Sequence, residues 1–180
     1  MTEQRRRLVE RIADPAYLEG LSERSLEDLR SMRDECREGE NELSFERRLC
    51  QARVDILSAE LERREGTRDS DLLERLPEIL ATEARPATDS PLPERAPDFS
   101  VPRSADVPRR RVEEIVGEQT LARLGELSAD EIRGIISSLA AHESQVSAHR
   151  KRVQEVVDEI QEEIVRRYVS GQADPTAALK

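Results

Sequence analysis

The chain has 180 residues and a mass of 20.5 kDa, enough for one domain or an extended helix pair with a linker and too little for a multidomain enzyme. Charged residues make up 38% and aromatics 2%, with no Trp, so neither a thick globular core nor a ring-lined cofactor pocket is expected. The net charge of −10 would repel a phosphate backbone, and no apolar run approaches the ~20 residues of a membrane span, so direct DNA binding and membrane insertion are set aside.

From the N-terminus, Met1-Thr2-Glu3-Gln4-Arg5 leads into a charged amphipathic stretch and not into a signal-peptide apolar region. A cytoplasmic location is therefore expected. Residues 1–24 read as accessory helices, with an amphipathic piece over about 3–13. A long helix follows over 25–66, introduced by Ser25-Leu26-Glu27-Asp28, a hydroxyl N-cap followed by acids that suit the helix dipole. Residues 67–108 carry Pro77, Pro86, Pro91, Pro93, Pro97, Pro102 and Pro108 among Ser, Thr, Asp and Arg, which is linker composition. Inside it, 70–81 has enough Leu and Ile for a short helix or docking segment. A second accessory helix is predicted within 109–127, and Ser128-Ala129-Asp130-Glu131 opens a second long helix over 128–169. Residues 170–180 read as a flexible tail.

On the first long helix Leu29, Met32, Cys36, Leu43, Cys50, Val54, Leu57 and Leu61 fall on one stripe. On the second, Ile132, Ile135, Leu139, Val146, Val153, Val157, Ile160 and Ile164 do the same. Two such stripes on helices of this length predict an all-α chain in which the long helices bury each other as an intramolecular coiled coil, antiparallel by preference and monomeric apart from any partner. Cys36 and Cys50 are fourteen residues apart on one helix, about 21 Å at ~1.5 Å per residue, and read as reduced seam residues. His142 and His149 have no Cys partners at zinc spacing and read as surface helix residues, so no metal site is expected.

Sliding the sequence by 103 residues lays the second segment on the first: Leu18, Leu21, Glu23, Ser25 and Arg30 meet Leu121, Leu124, Glu126, Ser128 and Arg133. The identities that packing does not demand are polar. Glu40, Ser44, Arg47, Gln51 and Asp55 coincide with Glu143, Ser147, Arg150, Gln154 and Asp158, giving E-x3-S-x2-R-x3-Q-x3-D twice. At about 100° per residue the five positions project within roughly 80° of one another, beside the apolar seam. A solvated face with i, i+4 pairs explains Glu and Arg on a long helix, but it leaves the recurrence of Ser and Gln unexplained. Arginine takes a phosphate, the O6 and N7 of guanine, or a base face, and Ser and Gln add short-range donors for phosphate or sugar oxygens. The carboxylates would repel phosphate yet match the N1–H and N2–H2 donors of guanine. The set suits a ligand with both guanines and phosphates, and two copies suit a two-fold one.

The doubled motif resembles the RsiG family, cyclic-di-GMP-responsive anti-sigma factors of sporulating actinobacteria, in all ten positions. The resemblance covers the two long helices and the repeat-and-linker plan. It implies that the paired helices bind a dimer of cyclic di-GMP as a regulatory ligand. It implies further that the loaded protein sequesters a sigma factor of the WhiG, flagellar and sporulation class to inhibit transcription. The competing reading is a structural coiled-coil scaffold or adaptor with no nucleotide ligand. No catalytic residues are expected: the histidines have no nucleophile partner, and Glu40 and Asp55 lie about four turns apart, too far to act as one acid–base pair. One asymmetry stands out in the repeat. Phe45, Leu49, Ala52, Ile56 and Ala59 form a second apolar stripe, whereas the matching residues are Ala148, Arg152, Glu155, Glu159 and Glu162. That stripe either covers an element of the same chain, through Leu8, Val9 and Ile12 or through Leu72 to Leu80, or binds the partner through Phe45, Leu49 and Ile56.

Overall fold

The computed structural model describes residues 3–66 and 100–172. These are helical, with no strand among the described residues: α1 (Glu3–Ala13), 3-10 turns over Pro15–Leu18 and Leu21–Glu23, α2 (Leu26–Arg64), α3 (Asp106–Ile115), α4 (Glu118–Ala122), a 3-10 turn over Leu124–Glu126, and α5 (Ala129–Val169). Most of the Pro-rich linker, including 70–81, and the tail from 173 onward lie outside the described residues.

Both long helices begin at reciprocal caps. The backbone N–H and hydroxyl of Ser25 donate to Asp28 at 3.3 and 2.6 Å, and the Asp28 N–H donates back to Ser25 Oγ at 3.0 Å. Ser128 and Glu131 repeat the pattern at 2.7, 2.7 and 3.3 Å. Orphan N–H groups of the first turn are thereby satisfied, and the acids sit at the positive end of the dipole; the hydroxyls hold both carboxyls below their usual range. Both helices stop at a glycine in the left-handed region, Gly66 at φ +66° and Gly171 at φ +72°, whose N–H groups donate to Arg63 and Tyr168 carbonyls.

The duplication extends to the accessory helices. Adding 103 to α1 gives 106–116, the place of α3, and adding it to Leu21–Glu23 gives the turn at Leu124–Glu126. Arg6, Arg7, Val9, Glu10 and Ile12 meet Arg109, Arg110, Val112, Glu113 and Ile115. The helix therefore starts at Asp106, three residues inside the predicted linker. Pro108 lies in its first turn, where the missing N–H removes no helical bond.

The chain divides into two compact units. One comprises Met1–Leu43 with Ala148–Lys180, the other Ser44–Ser147. In the first, Arg30 donates to the Tyr168 hydroxyl near one end, and Gln154 donates to Glu40 further along, so the α2 and α5 segments run antiparallel. Leu29, Met32, Cys36, Leu43, Val153, Val156, Val157, Ile160 and Ile164 are buried there together with Ile12 of α1. α1 crosses α2 at Gly39, where a Cβ would meet Ile12 Cδ1 at 3.2 Å; glycine's poor helix propensity is the cost of that approach.

In the second unit Glu46 meets His142 while Arg133 meets Glu65, again antiparallel. Its core joins Cys50 and Leu57 of α2, Val112 of α3 with Val116 just beyond it, Leu124, and Ile132 and Leu139 of α5. Leu49 and Ile56 pack against this cluster. That cluster includes Val112 of α3, so at Leu49 and Ile56 the second apolar stripe is covered within the chain.

All sixteen predicted seam residues are buried or partly buried, and burying each large apolar side chain is worth roughly 1.5–3 kcal/mol. Cys36 and Cys50 are free, buried thiols, and burial pushes both up to about 11.

Candidate functional site

The ten motif residues fall into two sets, one in each unit. In the unit of Ser44–Ser147, Arg47 Nη1 lies 3.9 Å from Glu143 Oε1, and the Ser147 hydroxyl donates to the same oxygen at 2.9 Å. Ser44, Gln51 and Asp55 are partly buried on the same stripe of α2. Burial raises the Asp55 carboxyl above its ordinary value.

In the other unit, Arg150 Nε lies 3.9 Å from Glu40 Oε1, and the Gln154 amide donates to that oxygen. Asp158 is the one motif residue classed as exposed. Positions 40 and 150 are 143 and 47 displaced by the repeat, so the two arginine–glutamate pairs are the same contact made once in each unit. The motif's Glu does not serve the Arg of its own helix: it faces the Arg of the other.

Two further contacts obey the same exchange. Arg64 donates to the carbonyls of Leu124 and Leu127, and Arg167 donates to those of Leu21, Ser22 and Arg24. Each arginine at the end of one long helix thus satisfies the turn that precedes the other. Each is gripped in turn: Arg63 and Arg64 pull the Glu60 carboxyl down to about 2, and Arg166 and Arg167 do the same to Glu163. Arg30 with Tyr168 and Arg133 with Glu65 form the third exchanged pair. These identities beyond the motif therefore brace the helix ends that carry it.

His142 is not the surface residue expected from sequence. Its Nε2 lies 2.8 Å from Glu46 Oε1, and Arg111 of α3 reaches Glu46 Oε2 at 3.0 Å. Glu46 is 0% exposed. A single buried carboxylate thus ties α2, α3 and α5, and nothing in the spacing of a lone Glu reveals that. Among the described residues no group of three His, Cys, Asp or Glu could hold a metal ion.

With this geometry in view, the RsiG-like family profile matches residues 15–80 and 118–179, both long helices with their preceding turns. The chain belongs to the RsiG-like family. Membership points to an anti-sigma factor role, with a sigma factor as the class of partner, and this is not a family of enzymes. No curated protein matches the chain. No described helix of this RsiG-like protein is long and apolar enough to cross a membrane.

Proposed function

We propose that the chain is a cytoplasmic, nucleotide-gated anti-sigma factor: its doubled motif binds cyclic di-GMP, and the loaded protein sequesters a sigma factor of the WhiG class to inhibit transcription. The observation that carries the reading is the repeated pair, Arg47 with Glu143 and Arg150 with Glu40, each at 3.9 Å. In this reading each guanidinium, set beside a carboxylate of the other long helix, takes a phosphate or the guanine O6 and N7 edge when the ligand binds.

The carboxylates keep two separate roles in this account. Glu40 and Glu143 hold the arginines in position, while Asp55 and Asp158 accept from guanine N1–H and N2–H2. Ser44, Ser147, Gln51 and Gln154 supply donors to phosphate and sugar oxygens. A motif that occurs twice in the sequence fits a ligand that is itself two-fold, a cyclic di-GMP dimer.

Titration with cyclic di-GMP against cyclic di-AMP tests the reading. The two nucleotides carry the same charge, but an aspartate facing adenine N1 meets an acceptor where guanine offers a donor, and its hydrogen bond is lost. Cyclic di-GMP binds far more tightly if the reading is right; equal binding reduces the stripe to a reader of charge, and no binding of either leaves a plain coiled-coil scaffold.

A further inference from the structure

The two copies of the repeat differ at several positions of the long helices outside the motif. Where α2 carries Leu49, Ile56 and Ala59, α5 carries Arg152, Glu159 and Glu162; where α2 and its stop carry Glu62 and Gly66, α5 carries Val165 and Val169. On α2 those apolar residues are partly or wholly buried, and no residue from 39 to 62 is fully exposed. On the part of α5 in the unit with Met1–Leu43, by contrast, Glu155, Glu159, Glu162, Val165, Arg166 and Val169 are all exposed.

Val165 is 48% exposed and Val169 84%, although they are large apolar side chains one helical turn apart. They border a shallow groove of about 500 Å3 with Gln161, Glu162, Arg166 and Ser170. Beside it, Glu159 and Glu162 have no ion-pair partner among the described residues, whereas Glu163, one residue on, is held by Arg166 and Arg167. An apolar end flanked by uncompensated carboxylates is the complement of an amphipathic basic helix.

We infer that the face of α5 formed by Glu159, Glu162, Val165 and Val169 is where the sigma factor docks, through one of its basic promoter-binding helices. The inference rests on the anti-sigma reading above. It adds the surface and the chemistry of the partner segment. A sigma factor's promoter-binding segments must present Lys and Arg to DNA phosphates. An acidic face that ends in two valines meets those cations with carboxylates and the helix's apolar edge with Val165 and Val169. Sequestration then amounts to occupying the surface the sigma factor needs for DNA.

The test compares full-length wild type with Glu159→Lys/Glu162→Lys and with Val165→Ser/Val169→Ser. For each, three quantities are measured: affinity for the sigma factor in saturating cyclic di-GMP, affinity of the free protein for cyclic di-GMP, and sedimentation of the free protein. All four positions are exposed, so both variants should keep wild-type helicity and nucleotide affinity. Each double variant should bind the sigma factor at least about tenfold more weakly, and the charge reversal should also flatten the salt dependence of association. Unchanged sigma affinity in both variants overturns the surface while leaving the anti-sigma reading intact. A free wild type that sediments as a dimer and becomes monomeric in Val165→Ser/Val169→Ser gives the face to a second copy instead. Nucleotide binding lost along with sigma binding makes the face part of the fold. A wild type that captures no sigma factor overturns both readings.

Discussion

Within the motif, Glu40 and Glu143 hold the arginines, and the remaining side chains would read the ligand. Arg47→Ala, Arg150→Ala, Asp55→Ala and Asp158→Ala should each weaken cyclic di-GMP binding by about 1–3 kcal/mol in calorimetry, with helicity by circular dichroism nearly unchanged. These side chains lie beside the seam and not in it. Unchanged affinity in all four variants contradicts the assignment. Asp55 adds a pH dependence. Burial raises its carboxyl, and only the ionised form accepts from both guanine N1–H and N2–H2 at once. Affinity should therefore fall on acidification at a pH above the ordinary aspartate range, and Asp55→Asn should remove that part of the titration. The motif residues were legible because an exact polar repeat is improbable on a solvated face. The pairing of each Glu with the opposite Arg was not, because a one-dimensional pattern fixes which residues share a stripe and not which stripe they face. His142 reads as a surface residue for the same reason: its partner Glu46 lies on another helix.

At the scale of elements, the helix ends and the accessory helices do the bracing. Arg167→Ala strands the carbonyls of Leu21, Ser22 and Arg24 and should destabilise the fold by roughly 1.5–3 kcal/mol, as should Arg64→Ala at the equivalent turn, measured by urea unfolding. Wild-type stability in both would contradict the bracing role. Glu60 and Glu163, held near 2 against 4.5 in a free chain, contribute stability that is present above about pH 4.5. It is lost as pH falls toward 2, so the melting temperature should decline across that window, less steeply in Glu60→Gln/Glu163→Gln. Glu46→Ala leaves Arg111 and His142 facing a buried void and should cost about 3–5 kcal/mol. Leu49→Arg and Ile56→Arg should lower the melting temperature, because both side chains pack on the cluster around Val112 and Val116; variants that stay wild-type in stability would return the stripe to the partner. The long helices, their caps and their seam were readable from period, hydroxyls and acids. The first turn of α3 was not, since Pro108 reads as a breaker unless its place in the turn is known, and the match of α1 to α3 rests on five identities diluted by the charge around them.

Across the whole molecule, the proposed function makes a nucleotide and a sigma factor linked ligands. Cyclic di-GMP strengthens sigma binding only if it binds the complex better than the separate parts, and the sigma factor must then strengthen nucleotide binding by the same factor. The buried thiols provide an independent check that the fold stays closed under the conditions used. Cys36 and Cys50, pushed up to about 11, should react with a thiol reagent at neutral pH only after denaturation. Fast labelling of the native protein would contradict their burial. The most direct measurement is calorimetric titration of cyclic di-GMP into the full chain, first alone and then with a saturating WhiG-class sigma factor. The account predicts binding in both, tighter by about 5–150-fold with the sigma factor present, and abolished in Arg47→Ala/Arg150→Ala. Equal affinity with and without the sigma factor, or no heat of binding in either, would contradict it.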